Sequence, residues 1–158
     1  MTQQVKAIRI EANGGPEAMK LAMVDLPPAG TDEVTIRQKA VGLNFIDIYF
    51  RSGLYKQSLP HGLGCEASGI VEAVGANVRH LKVGDRVAYG QSPLGAYAEA
   101  RNVPANFVVK LPSAISFEEG AAIMLKGLTA QYLLRQTYRL QGGETILFHA
   151  AAGGVGLI

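Results

Sequence analysis

A glycine-rich segment near the end of the sequence has the residue types needed to bind a phosphate-bearing ligand. Ala151, Gly153 and Gly156 occupy the three positions of a G-x-G-x-x-G spacing, with alanine in place of the first glycine. A dinucleotide loop needs glycine for a tight turn, for close approach to a pyrophosphate and for helix-on-strand packing. The apolar run 145–148 before it is typical of a buried parallel strand. Spacing alone leaves an ordinary glycine turn equally open, because such turns are common.

Metal ligands are scarce in the sequence. Cys65 is the single cysteine, and the three histidines, His61, His80 and His149, show no ligand spacing. A zinc site needs several thiolates, imidazoles or carboxylates around one ion. One cysteine also excludes an intramolecular disulfide, which fits a reducing compartment. We expect no metal.

Composition points to an ordinary globular chain. The 158 residues carry a formal net charge of +2 with 18% charged residues, too weak a balance to indicate a nucleic acid or an anionic membrane. No apolar run approaches the roughly 20 residues of a membrane span, and the N-terminus lacks a secretory pattern. We expect a cytoplasmic protein with neither a membrane nor a nucleic acid as its partner.

The first two thirds of the sequence favour short strands separated by glycine and proline turns. Residues 45–51 have helical spacing and end before Gly53. Several short strands with glycine turns suggest a closed or partly closed barrel, because closure removes exposed edges. The strand candidates are residues 6–10, 19–26, 33–40, 69–75, 86–89 and 95–99.

The periodicity changes near residue 112. Ser116 and Glu119 form a capping box, which predicts a helix that continues to about Leu140, interrupted near Gly127. The fold class is therefore α/β with a mainly β N-terminal domain. We divide the chain into residues 1–115 and 116–158. A strand and glycine loop normally lead into a helix and a second parallel strand, so we expect the chain to be truncated within its second domain.

Several motifs together resemble one enzyme superfamily. Residues 64–71 and 83–87, with 41–47 as the active-site segment, resemble the medium-chain dehydrogenase/reductase superfamily. Within it, four segments are similar to the quinone oxidoreductases: residues 44–49, 51–55, 125–129 and 148–156. The resemblance implies a GroES-like, partly open barrel for substrate, a Rossmann domain for cofactor, and an active site in the cleft between them.

The resemblance also implies roles for individual residues. At the positions of two zinc ligands in the alcohol dehydrogenase branch, this sequence has Asn44 and Cys65, which implies zinc independence. Asn44, Tyr49 and Tyr55 become the catalytic candidates, because a hydride-accepting quinone needs a donor near its oxygen. The implied cofactor is NADPH rather than NADH, and its candidate contacts are Asn44, Phe45, Ile46, Asp47, Ile48, Lys126, Thr129, Tyr132, Ala151, Gly153, Gly154, Val155 and Gly156.

Structural roles stay open beside these functional ones. Asn44 could instead be a turn residue, because asparagine bonds readily to nearby backbone. Tyr49 could have no role beyond packing its helix against the barrel. Asp47 could cap that helix or pair with Arg51. Lys126 could be a solvated charge, and Cys65 is expected to be a small buried apolar residue.

We expect the parent enzyme to reduce quinones with NADPH and to form a homodimer. The alternatives are an NADPH-dependent reductase of enones or enoyl thioesters, meaning other α,β-unsaturated carbonyl substrates, and a non-catalytic crystallin-like or RNA-binding relative. The isolated 158-residue chain should be inactive, since most of the cofactor domain is absent from it. The sequence contains no residue that separates NAD from NADP.

Overall fold

The computed structural model describes residues 2–91 and 93–158, and its strands there form two antiparallel sheets. The three-stranded sheet has the order β2-β1-β4, and the five-stranded sheet has the order β7-β3-β5-β6-β8. The strands are β1 (Gln3–Ile10), β2 (Met19–Leu26), β3 (Glu33–Gly42), β4 (His61–Gly62), β5 (Glu66–Val74), β6 (Arg86–Tyr89), β7 (Ala100–Pro104) and β8 (Val108–Lys110). The predicted mainly β N-terminal domain is confirmed, and its sheets do not close into one barrel.

The main core lies on one face of the five-stranded sheet. Val34 and Ile36 of β3 have no solvent exposure, and they pack with Val71, Val87 and Tyr89 from neighbouring strands. This alternation along β3 is the one that the sequence predicts. The alternation of residues 33–40 also predicts that Thr35 faces outward, and this is wrong: Thr35 is buried, and its hydroxyl donates to Oδ1 of Asn102 at 2.7 Å.

The predicted strand at 95–99 is wrong. The backbone there bends, and Glu99 bonds to both sheets: its amide donates to the carbonyl of Lys6 in β1, and its carbonyl accepts the amide of Gln38 in β3. A segment that links two sheets in this way cannot extend along either one. The regular strand begins one residue later, at Ala100, where five residues of β7 pair with β3.

Helix α1 (Phe45–Ser52) follows β3 directly and confirms the predicted short helix. Gly53 ends it with φ of 81°, a left-handed conformation that glycine adopts without the steric cost of a Cβ atom. Only two residues, Leu43 and Asn44, separate the end of β3 from the start of α1, so Asn44 and Asp47 lie close to the end of that strand.

Helix α2 (Phe117–Tyr132) lies across β3, β5 and β6. Its predicted capping box is confirmed: the Glu119 amide donates to the Ser116 hydroxyl at 3.1 Å, and the Ser116 amide to Oε2 of Glu119 at 2.8 Å. The helix approaches the sheet closely, since a Cβ at Gly42 would lie 2.4 Å from the Ala121 carbonyl oxygen. It runs through Gly127 without the expected interruption.

The C-terminal segment differs from the prediction in two respects. The regular helix ends at Tyr132 and passes into one π-helical turn, Leu133–Thr137, instead of reaching Leu140. Residues 145–148 form no strand, and Leu147 is 87% exposed. A buried parallel strand takes its hydrogen bonds from adjacent strands, and the described residues supply no such neighbour. Neither α-helix in the described ranges has the length and hydropathy to cross a membrane.

Candidate active site

Three side chains from three elements meet at one point: Asn44 before α1, Glu66 at the start of β5 and Lys126 on α2. The Lys126 ammonium donates to Oδ1 of Asn44 at 2.8 Å and to Oε1 of Glu66 at 2.9 Å. The Asn44 amide nitrogen donates to the same Oε1 at 2.7 Å. These bonds fix which way the Asn44 amide faces. Of the structural roles left open above, a solvated charge for Lys126 does not describe this arrangement, whereas Asn44 also serves the backbone locally as the N-cap residue of α1.

Glu66 is the most deeply buried member of this group, with no solvent exposure. Its second oxygen, Oε2, accepts the backbone N–H of Leu125 at 2.6 Å. A buried carboxylate is tolerated only when it is paired and hydrogen-bonded. The ion pair with Lys126, whose side chain is 23% exposed, meets that requirement and brings α2 onto β5.

Asp47 is the second buried acid of the site, and it caps α1. Its Oδ2 accepts the Asn44 backbone N–H at 2.9 Å and the Tyr97 hydroxyl at 2.7 Å. Burial, followed by the hydrogen bond to Asp47, raises the pKa of Tyr97 above its ordinary value. Of the two structural alternatives for Asp47, capping is the one observed, since Arg51 Nε donates to the Gly14 carbonyl.

The thiol of Cys65 completes the group, buried 3.5 Å from Oδ1 of Asp47. Burial and then the Asp47 carboxylate raise the pKa of Cys65 to about 12, so the thiol stays protonated near neutral pH. This agrees with the expected small buried residue and is unlike a metal-binding thiolate. Within residues 2–91 and 93–158, no group of three or more His, Cys, Asp and Glu side chains is placed to hold a metal ion.

Aromatic side chains form a cluster beside α1. The ring of Tyr49 lies 5.4 Å from Phe45 and 5.2 Å from Tyr55, measured between centroids, and Phe50 lies 5.8 Å from Tyr55. Phe45 is 69% exposed and Tyr55 46% exposed. This surface offers flat apolar faces beside α1, beginning at Phe45, the residue after Asn44, and such faces suit a planar ring.

The glycine-rich loop packs against the stem of Lys126. A Cβ at Gly154 would lie 2.8 Å from Cδ of Lys126, and one at Gly156 would lie 2.3 Å from the Ala151 carbonyl oxygen. Leu157 donates its amide to the Gly153 carbonyl at 3.0 Å, which is the first bond of a helical turn. The structure therefore brings both the glycine loop and Asn44 to the outer part of the Lys126 side chain.

The remaining predicted contacts are more dispersed. The Thr129 hydroxyl bonds back to the Leu125 carbonyl at 2.8 Å, and Tyr132 is the last residue of α2, 40% exposed. Val155 lines a separate cavity of about 330 Å³ between the end of α2 and Phe148. Ile46 is half-buried and Ile48 is 39% exposed on α1.

Sequence reasoning missed Glu66 and Tyr97 as members of the site. The sequence did contain a signal for Glu66, which is the only charged residue in the otherwise small and apolar run 63–71. An acid on a buried strand needs a hydrogen-bonding or oppositely charged partner, so its presence there indicates a polar site. No sequence pattern indicates a site role for Tyr97. The bend that directs its hydroxyl at Asp47 depends on backbone hydrogen bonds to Leu63 and Gly64, which lie far away in sequence.

Comparison with known families identifies the fold and its relatives. The model of the alcohol dehydrogenase GroES-like domain matches residues 30–113, a range that holds Asn44, Asp47 and Glu66. The chain belongs to the alcohol dehydrogenase GroES-like domain family. The predicted resemblance to quinone oxidoreductases of the medium-chain dehydrogenase/reductase superfamily is confirmed as well.

Individual relatives of this GroES-like domain protein support that placement. The chain is 59% identical over 153 residues to a quinone oxidoreductase of Pseudomonas aeruginosa, covering 96% of the chain and 47% of the relative. It is 40% identical over 165 residues to a 2-haloacrylate reductase of a Burkholderia species, covering 98% and 48%. The crystal structure of Escherichia coli quinone oxidoreductase complexed with NADPH matches with a TM-score of 0.94 and 52% identity, over 97% of the chain and 47% of that structure. The chain thus spans about half the length of the relatives it matches.

Proposed function

We propose that this chain supplies the substrate domain and the beginning of the cofactor domain of an NADPH-dependent quinone reductase that works without zinc. Residues 1–115 form the substrate domain in this proposal, and residues 116–158 begin the nucleotide-binding domain. The reaction takes place in the cleft between them. The observation that carries the proposal is the ammonium of Lys126, which lies 2.8 Å from Oδ1 of Asn44.

The ammonium supports zinc independence by electrostatics. In the zinc branch of the superfamily, the position of Asn44 holds a metal ligand. Here that side chain accepts a hydrogen bond from a lysine cation, and a divalent ion at the same place would be repelled by it. Lys126 therefore supplies, from the protein itself, a positive charge of the kind that a metal supplies in the zinc branch.

Quinone reduction requires hydrogen-bond donors at the carbonyl oxygen of the substrate. Hydride addition to a quinone leaves negative charge on a carbonyl oxygen, which positioned donors stabilise in a partly buried site. Two donor groups are positioned here, the Lys126 ammonium and the Asn44 amide. The rings of Tyr49 and Tyr55 provide the adjoining apolar wall for a planar substrate.

The glycine loop fits a dinucleotide. A Cβ at Gly154 would meet Lys126 and one at Gly156 would meet the Ala151 backbone, so this tight loop needs glycine at both positions, as a dinucleotide loop does. When bound, NADPH would supply the hydride. The residues that would hold it are Gly153, Gly154 and Gly156, with Asn44 and Lys126 on the nicotinamide side. NADPH rather than NADH is supported by the NADPH complex of the Escherichia coli relative.

A second candidate is reduction of an activated alkene, such as an enone. The 40% identity to a 2-haloacrylate reductase supports it, and the same donors would stabilise the charge on an enolate oxygen. The two reactions share a site and differ in substrate.

The test uses the native, full-length protein. NADPH oxidation is followed with 1,4-benzoquinone and with 2-cyclohexenone, each before and after treatment with a zinc chelator, and zinc is measured by mass spectrometry. We expect turnover of the quinone, no loss with chelator and far less than one zinc per chain. Turnover of the enone alone would establish the second candidate, whereas stoichiometric zinc with chelator-sensitive activity would refute zinc independence.

A further inference from the structure

Glu66 has a role that its burial does not explain by itself. A carboxylate that served only to join α2 to β5 would need the Leu125 amide and one more donor. Instead, Oε1 accepts from both Lys126 and Asn44, and these two also bond to each other, so the three groups close a ring of hydrogen bonds. In such a ring no member can turn without breaking two bonds.

Counting donors shows what the ring leaves available. An ammonium has three N–H groups and a primary amide has two. Within the described residues, Lys126 uses two on Asn44 and Glu66, and Asn44 uses one on Glu66. One N–H of each group is left, and the Lys126 side chain is 23% exposed.

We propose that Glu66 is a positioning residue, which holds Lys126 and Asn44 so that their remaining N–H groups meet the substrate oxygen on which negative charge develops. The proposal rests on the reductase function proposed above. Glu66 itself has no solvent exposure and does not touch the substrate. It acts through Lys126, whose stem lies against Gly154.

The central test is a double-mutant cycle in the full-length enzyme loaded with NADPH, using Glu66→Gln, Lys126→Met and the double variant. Gln keeps the shape of Glu66 and removes its charge. We expect each single change to lower kcat on the order of 100-fold, as for loss of one oxyanion donor. We expect the double variant to match Lys126→Met within about twofold, because residues that act as a unit are not additive. The KM for NADPH should change little.

Lys110→Met is the matched control. It removes an ammonium from an ion pair of similar length, 3.0 Å to Asp85, on the exposed side of β8. We expect wild-type kcat from it. If Glu66→Gln does not fold, Glu66→Asp replaces it. Aspartate keeps the negative charge, but its side chain is one methylene shorter, so the carboxylate lies farther from Lys126 and Asn44. Multiplying effects in the double variant, or a folded Glu66 variant with wild-type kcat, would overturn the proposal.

A binding measurement separates this inference from the function itself. The probe is 4-nitrophenolate, an aromatic oxyanion whose absorbance reports binding to the enzyme with NADP⁺. We expect affinity to fall on the order of tenfold in Glu66→Gln and in Lys126→Met, and to stay unchanged in Lys110→Met. Equal affinity in all variants would refute the role of Glu66. Glu66-dependent binding without turnover of either the quinone or the enone would refute the reductase function and leave the positioning role standing.

Discussion

The hydroxyl of Tyr97 donates to Oδ2 of Asp47 at 2.7 Å and joins the start of α1 to the segment that links the two sheets. The same oxygen accepts the Asn44 backbone N–H, so one carboxylate holds both the helix terminus and the residue whose side chain meets Lys126. The position of Asn44 therefore depends on a contact between segments 50 residues apart in sequence.

Loss of that contact should weaken the fold. Tyr97→Phe removes the hydroxyl and leaves a buried carboxylate with one donor fewer, which we expect to lower the free energy of unfolding by about 1–3 kcal/mol. Urea denaturation followed by circular dichroism measures it. Tyr138→Phe is the control, since that hydroxyl also bonds to a carboxylate, Glu144, but on the surface. A larger effect at Tyr138 than at Tyr97 would contradict the assignment.

The Cys65 thiol should resist alkylation in the folded protein. Burial and the Asp47 carboxylate raise the pKa of Cys65 to about 12, so almost no thiolate is present at pH 8. We expect iodoacetamide to leave Cys65 unmodified in buffer and to modify it fully in urea, as read by mass spectrometry. Rapid labelling of the native protein at pH 8 would show that the thiol is neither buried nor raised in pKa.

The same shift predicts alkaline destabilisation. The folded-state pKa of Cys65 lies above its ordinary value of 9.0, so the stabilisation is complete below about pH 9 and is lost as the pH rises toward 12. Tyr89, whose pKa burial also raises to about 12, adds to the effect. Urea midpoints at pH 8 and pH 10.5 should differ more for wild type than for Cys65→Ala. An equal decline in both proteins would assign the alkaline effect to other groups.

Glycine-to-alanine changes should test whether the glycine loop binds the cofactor, as proposed, or is an ordinary turn. Gly156→Ala puts a Cβ 2.3 Å from the Ala151 carbonyl oxygen, and we expect it to weaken NADPH binding by full-length protein at least roughly tenfold, because the loop must open. Gly142→Ala is the control, since its Cβ would meet no atom within 4 Å. Titration by NADPH fluorescence measures both, and similar affinities would argue against this loop as the pyrophosphate site.

Loss of the α2 cap should reduce stability without changing the chemistry. Ser116→Ala removes the hydroxyl that accepts the amide of Glu119, and we expect a loss of about 1 kcal/mol in the free energy of unfolding. Ser113→Ala, at an exposed loop position, serves as its control. Thermal unfolding of both variants measures the effect. A cap variant as stable as wild type would mean that packing on the sheet alone sets the start of α2.

Much of the local structure could be read from the sequence. The inward positions of Val34 and Ile36 on β3, the helix between Asn44 and Gly53 and the capping box at Ser116 all depend on neighbouring residues, and each is confirmed. The strand expected at 145–148 is wrong because its formation depends on partner strands, and a run of apolar residues carries no information about whether such partners are present.

The sequence by itself determined the residue types of the site: the asparagine at position 44, one lysine on the helix that follows Ser116 and a loop of glycines. Only the tertiary structure decided that Asn44, Glu66 and Lys126 form one ring of hydrogen bonds, and that Glu66 belongs to the site at all. The physical reason is that a buried acid must find its partner across the fold. Residues 66 and 126 meet only when α2 lies on β5, and no local pattern encodes that contact.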